Sequence, residues 1–199
     1  MKNLIQSILT NEANAILNIP ISENYEKAVD LINEMVHNRK GKLITSGMGK
    51  AGQVASNIAT TFSSTGTPAY FLHPSEAQHG DLGLLQENDV MLVISNSGKT
   101  REIVELLTLS RELYPEIKFI VISGDTESIL AKKGDVFLHT GSPGEVCPLG
   151  FTPTTSITVM TVIGNILVVN TMRKINFSKT DYAKRHHGGY LGIKSREDE

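Results

Sequence analysis

Short runs of β-forming residues at 42–46, 68–72, 90–94, 119–122 and 136–138 alternate with segments that carry helical spacing. A helix between two strands carries the chain back across a sheet face, so the next strand enters from the same end and lies parallel. Runs such as Val90 to Ile94 are apolar at consecutive positions, the pattern of strands buried on both faces. The chain is therefore read as α/β, with a parallel sheet covered by helices on both sides. Two helices precede the first strand. Leu4, Ile5, Ile8, Leu9, Ile16 and Leu17 follow one helical stripe, and Tyr25, Ala28, Val29, Ile32, Met35 and Val36 follow another after Pro20. A long helix over 154–173 and a Gly-rich tail follow the last run.

A chain of 199 residues with 40% hydrophobic content supports one core, so a single domain over 1–199 is expected. Its net charge of −2 comes from acids and bases scattered along the chain. This argues against a nucleic-acid or membrane-surface partner and leaves anion recognition to local features. The one cysteine, Cys147, cannot form an intramolecular disulfide; it fits a reducing compartment and reads as a small buried hydrophobe. Residues 1–17 are broken by Gln6, Asn11, Glu12 and Asn14 and lack the apolar core of a signal peptide, so the mature protein is expected to start here. The apolar stretch 157–172 holds Thr158, Thr161, Gly164 and Asn165. It falls short of the roughly 18 apolar residues of a membrane span and reads as a buried core or interface helix.

In open parallel sheets, ligands bind beyond the carboxyl ends of the strands, so the residues after each run carry the functional information. Ser46 to Gly52 after the first run matches G-x-G-x-x-G at Gly47, Gly49 and Gly52. A dinucleotide would also need an acid near the end of the second strand, where Leu72-His73-Pro74 stands instead. A turn that only packs helix on strand is the other reading. Lys50 in the first helical turn opposes the helix dipole, which an anion nearby would relieve. After the third run, Ser95, Asn96, Ser97, Gly98, Lys99 and Thr100 lead directly into a helix. Unpaired amides and three hydroxyls there form a metal-free cradle for a phosphate, whereas ordinary N-capping would explain only one hydroxyl. Glu102 beside it is a catalytic candidate or a favourable first-turn acid. His73, Glu76, His79 and Asp81 crowd the loop after the second run, suited to proton transfer near neutral pH. Metal binding by His73, Glu76 and His79 is the rival reading, although no zinc spacing is matched.

These segments together resemble the sugar isomerase (SIS) domain, and among its members the arabinose 5-phosphate isomerases. The resemblance rests on Gly-Met-Gly-Lys-Ala-Gly (47–52), Ser-Thr-Gly-Thr-Pro-Ala (64–69), the 73–83 loop and Ser-Asn-Ser-Gly-Lys-Thr (95–100). It extends to Glu-Val-Cys-Pro-Leu-Gly-Phe-Thr-Pro-Thr (145–154) and Asp-Tyr-Ala-Lys-Arg-His-His-Gly-Gly-Tyr-Leu-Gly (181–192), so it covers about 40–193, with 1–39 as N-terminal helices packing on that core. The resemblance implies a Rossmann-like three-layer αβα sandwich around a five-stranded parallel sheet, assembled as a homotetramer and located in the cytoplasm. It implies interconversion of ribulose 5-phosphate and arabinose 5-phosphate for Kdo synthesis, serving lipopolysaccharide or capsule. Matched motif by motif, Lys50, Glu102, Glu145 and His186 fall on the family's catalytically relevant positions. Gly66, Thr67, His73 and His79 fall on its substrate-contacting ones. No cofactor or required metal is implied; His73 could capture zinc as an inhibitor.

The family's His-Pro-Gly-Gly is here His186-His187-Gly188-Gly189, and an aspartate usual in the long helix is Asn165. The CBS module that most relatives carry is expected to be absent. On this reading an open-chain sugar phosphate is held by Ser46, Ser95, Asn96, Ser97 and Thr100. Glu102 or Glu145 is the base, with a pKa raised toward about 6 to 7 by partial burial. His79 and His186 move protons between oxygens, and Lys50 stabilises negative charge. A non-catalytic regulator that binds a sugar phosphate or nucleotide sugar with the same cradle is the alternative.

Overall fold

The computed structural model describes residues 1–196; the last three positions of the expected 1–199 domain lie outside the described residues. Its centre is a sheet of β1 (Leu43–Gly47), β2 (Ala69–Phe71), β3 (Val90–Ile94), β4 (Lys118–Ser123) and β5 (Val136–His139) in the order β2-β1-β3-β4-β5. Every neighbouring pair is parallel, with Leu43 opposite both Ala69 and Val90. The five runs read from the sequence are these strands, displaced by no more than a residue or two at their ends. β1 and β3 are buried at every position, because helices cover both faces.

Alternate strand residues feed two apolar layers. Val90, Leu92 and Ile94 face α2 (Asn24–Ile32), α3 (Gly49–Ser64) and α7 (Thr155–Lys174). Met91 and Val93 face α4 (Pro74–Ala77), α5 (Arg101–Leu113) and α6 (Ile129–Lys133). This is the three-layer αβα sandwich. The second opening helix departs from a plain α-helix: α2 passes into a π-helical stretch over Asn33–Asn38. α1 (Lys2–Leu17) buries no residue completely; only Ala15 and Ile16 pack on the core, while Leu4, Ile5 and Leu9 stay exposed. The Gly-rich tail folds into α8 (Lys179–Ala183) and α9 (Gly189–Lys194). A reciprocal cap starts α8, with Ser178 and Asp181 each bonding the other's backbone N–H.

By length and mean hydropathy, 1.5, α7 is apolar enough to cross a membrane, a correction to the expectation that it falls short. Half of that stretch is buried inside the fold, through Val159, Met160, Ile163, Leu167 and Val168. It is the core helix that the sequence suggested.

At the amino edge of the sheet, Asp89 is fully buried and accepts from the Lys42 backbone N–H (2.8 Å), the Lys42 Nζ (2.7 Å) and the Gln86 N–H (2.8 Å). A buried carboxylate is tolerated only when its lone pairs are met in this way. It locks the entries of β1 and β3, the two strands that carry the loops described next. Asp89→Ala is expected to cost about 3 kcal/mol, because Lys42 and two amides lose their acceptor together. Urea unfolding should show a lower midpoint at unchanged slope.

Candidate active site

The strand order reverses direction between β1 and β3: the crossover after β1 leads outward to β2, and that after β3 leads the other way to β4. The loops leaving these two strands therefore part and open a crevice, where ligands bind in sheets of this kind. A cavity of about 270 Å³ lies there, bordered by Met48, Lys50, Ser95, Ser97, Thr100 and Ser156, with Asn96 also on its wall. Three long helices begin at its rim. Met48 caps α3, Thr100 caps α5, and Ser156 is in the first turn of α7. The starts of α3 and α5 present unpaired amides and the positive end of the dipole, which favours an anion; at α7 the Thr154 and Ser156 amides are already met by Glu145. The Lys50 ammonium adds a full charge on an exposed side chain.

The 95–100 loop is held in shape from within. Ser95 and Thr100 hydroxyls bond at 2.8 Å, and the Lys99 N–H donates to Ser97 Oγ at 3.2 Å. Gly98 takes a left-handed φ of 61°, and a Cβ there would stand 2.1 Å from Ser128 Oγ. Glycine alone lets the loop close on the start of α6. The other glycine motif is a packing device: a Cβ on Gly52 would lie 2.6 Å from the Gly47 carbonyl oxygen. Helix α3 thus rides directly on β1, the simple packing reading of that motif, while Lys50 between the glycines faces the cavity.

Other expected site residues lie elsewhere in the single chain. Ser46 is buried and donates to the Leu72 carbonyl at 2.6 Å, so its hydroxyl ties β1 to the end of β2 and does not reach the cavity. Gly66 and Thr67 precede β2 and, in a parallel sheet, sit at the amino edge, opposite the crevice. Thr67 is 1% exposed and bonds His37 Nε2 at 3.0 Å. His73 caps α4, edge-on to Phe71, and its Nδ1 is buried without a partner among the described residues. His79 is exposed. Gln78 donates to Glu105 on α5 at 2.9 Å, so the loop carrying both histidines runs along α5. Glu102 lies one turn before Glu105 on the same face, half-buried and without a hydrogen bond among the described residues. His186 stacks on Tyr182 at 3.6 Å and bonds its carbonyl through Nδ1; it does not border the cavity. Glu145 faces a second polar cavity of about 440 Å³, between α1 and the loop after β5.

The SIS domain model matches residues 35–170. The chain belongs to the SIS family. This SIS chain is 45% identical over 175 residues to the arabinose 5-phosphate isomerase KdsD of Francisella tularensis, covering 87% of this chain and 52% of that protein. It thus spans about half the length of the curated relatives it matches. Among solved structures, a proposed phosphosugar isomerase involved in capsule formation from Bacteroides fragilis NCTC 9343 superposes with a TM-score of 0.92 at 67% identity. That match covers 94% of this chain and 97% of the other. Protein c3406 of E. coli CFT073, solved in complex with arabinose 5-phosphate, gives a TM-score of 0.82 at 34% identity, over 92% and 96% of the two chains.

Two expectations are corrected here, the raised Glu145 pKa by its hydrogen bonds and the buried Cys147 by its exposure. Partial burial pushes the Glu145 carboxyl up, but donors on Ser156 and Thr154 outweigh it and hold the group below the ordinary carboxylate range. The Thr154 N–H (2.7 Å), Thr154 hydroxyl (2.9 Å) and Ser156 N–H (3.3 Å) all point at Glu145 Oε2. Glu145 is thus a fixed anion at the start of α7, not a base tuned upward. Cys147 is half-exposed rather than buried. Desolvation raises its thiol, but hydrogen bonds from Thr152 and the Leu149 and Phe151 backbones bring it below the ordinary value.

The sequence reading missed Met48, Pro153 and Ser156, which line the SIS cavity. The signal was present in Pro153-Thr154-Thr155-Ser156, hydroxyls ahead of an apolar helix as at 95–100. Among the described residues no group of three or more His, Cys, Asp or Glu is placed to hold a metal. Because the folded Glu145 pKa lies below its unfolded value, its stabilisation is full above the unfolded pKa and lost as pH falls through the folded one. Glu145→Gln should therefore destabilise most near neutral pH, and the gap in urea midpoint from the parent should narrow on acidification.

Proposed function

We propose that this SIS protein is an aldose-ketose isomerase that interconverts ribulose 5-phosphate and arabinose 5-phosphate. The observation that carries this reading is the convergence of the open starts of α3 and α5, Lys50 and the hydroxyls of Ser95, Ser97 and Thr100 on one small cavity. That arrangement suits a phosphate monoester dianion without a metal. Relatives support the choice of sugar: one is named arabinose 5-phosphate isomerase, and another was solved with arabinose 5-phosphate bound. The product then feeds Kdo synthesis for lipopolysaccharide or capsule, the second branch being the one stated for the 67% identical neighbour.

The C5 phosphate binds in the cradle, and binding energy from this remote group positions carbons 1 and 2. Glu102, unpartnered on the face of α5 that the His73 to His79 loop covers, takes the proton from carbon 1 of the ketose. The resulting cis-enediol receives a proton at carbon 2, while His79 and His186 move the proton from the carbon 1 oxygen to the carbon 2 oxygen. Lys50 offsets negative charge on phosphate or enediolate. No cofactor takes part, and His73, with its unpaired Nδ1, is a place where zinc would inhibit. Because Gly66 and His186 stand away from the cavity of their own chain, their contacts with substrate come across subunits of a homotetramer, whereas Thr67, buried and bonded to His37, shapes the turn that carries Gly66. Exposed Leu4, Ile5, Leu9, Phe151, Tyr190 and Leu191 supply apolar surface for that assembly. We take 1–199 as one domain, with 1–39 packed on the motif-bearing core, acting in the cytoplasm on a small molecule, with no nucleic-acid or membrane partner.

Incubation with ribulose 5-phosphate in heavy water should yield arabinose 5-phosphate carrying deuterium at carbon 2. No turnover across a panel of pentose and hexose phosphates would sink the assignment. Thr100→Val should raise KM about tenfold or more, since a hydrogen bond to a charged group is worth about 1.5–3 kcal/mol, with a smaller change in kcat. Glu102→Gln should lower kcat by at least about 10²-fold with KM little changed. Light scattering should give the mass of four chains.

A further inference from the structure

Helix α1 sends a carboxylate to the same helix start that holds Glu145. Glu12 Oε1 accepts from the Thr155 hydroxyl at 2.8 Å, and Thr155 Oγ1 in turn accepts from the Val146 N–H at 3.3 Å. Thr155 is 1% exposed, so water does not compete for its hydroxyl. A hydroxyl has one proton, and with its oxygen taking the Val146 N–H that proton is directed at Glu12. The polarity of the chain is set: Val146 N–H to Thr155, Thr155 O–H to Glu12. Val146 adjoins Glu145, whose Oε2 is gripped by Thr154 and Ser156, the residues on either side of Thr155. Two carboxylates thus bracket the first turn of α7, and Ser156 in that turn borders the cavity.

Glu12 lies outside the stretch matched by the SIS model, and the second oxygen, Oε2, is buried with no partner among the described residues. An acceptor left unmet in this way is costly. Simple helix packing would be served better by an apolar side chain at that position. We infer that Glu12 is a positioning residue for the isomerase site. Through Thr155 it fixes the 145–146 segment, and with it the Glu145 carboxylate and the Ser156 wall of the cavity. This rests on the reading of the site under the proposed function, in which the first turn of α7 borders the substrate.

The test is steady-state kinetics on the full chain with ribulose 5-phosphate, using Glu12→Ala, Glu12→Gln, Thr155→Val and Glu145→Gln. Glu12→Ala and Thr155→Val should each lower kcat about tenfold or more, with KM within about twofold, because the loss is one of geometry rather than of phosphate binding. Glu12→Gln keeps an oxygen to accept from Thr155 and should stay within about threefold of the parent, a rescue that a need for bulk charge would not allow. Placed on Glu145→Gln, Glu12→Ala should cause little further loss, since both act through one turn. An unchanged kcat in a folded Glu12→Ala protein, or equal damage in Glu12→Gln and Glu12→Ala, overturns the inference. Should Glu12→Ala not fold, Thr155→Val decides by the same kcat and KM criterion. A Glu145→Gln variant with unchanged kcat likewise overturns the inference, because the carboxylate that Glu12 is said to position would then serve nothing, whereas a parent enzyme without turnover would fail the underlying reading of the site.

Discussion

The molecule depends on one constraint: parallel strands deliver every following helix start to the same edge. A helix beginning there leaves amides unpaired, and at the crevice between β1 and β3 two such starts, those of α3 and α5, face one cavity. Neutral dipoles, one lysine and a set of hydroxyls then suit that cavity to an anion in a chain whose net charge is −2. The buried Asp89 cluster serves the same end from below, fixing the strands whose upper ends make the cradle.

The start of α7 shows how helix ends are apportioned. At α3 and α5 the amides are left open to the cavity, whereas at α7 they are occupied by Glu145, with Glu12 one bond away through Thr155. The protein's own carboxylate neutralises one of three positive ends, which leaves Lys50 and the 95–100 loop as the side of the cavity suited to an anion. A ligand with its anion at one end and hydroxyls at the other is oriented by that asymmetry.

Much of this could be read without coordinates, for identifiable reasons. Ser95 to Thr100 stood out because hydroxyls and a glycine directly precede an apolar helical pattern, a local signal that maps to local structure. Gly47 and Gly52 were recognisable as a motif, yet only the tertiary structure shows that they serve packing, since a Cβ on Gly52 would stand 2.6 Å from the Gly47 carbonyl oxygen. Ser46 looked like a ligand residue from its place at the strand end. Its direction across the pleat turns it toward Leu72. Glu145 could be expected to be partly buried, but the sign of its pKa shift depends on donors at Thr154 and Ser156 that the chain brings back after a turn.

From the residues alone came the class of fold, the strand positions, the hydroxyl-lined 95–100 loop and the family, because each is written in contiguous stretches whose periodicity or motif has a local physical cause. Tertiary structure decided which of the singled-out side chains share a cavity. Lys50 meets the 95–100 loop because β1 and β3 are neighbours, although more than forty positions separate them in the chain. Glu145 and His186 stand apart from that cavity because their loops leave at β5 and after α7. Distance in space follows sheet order and helix packing, and no single segment contains that information.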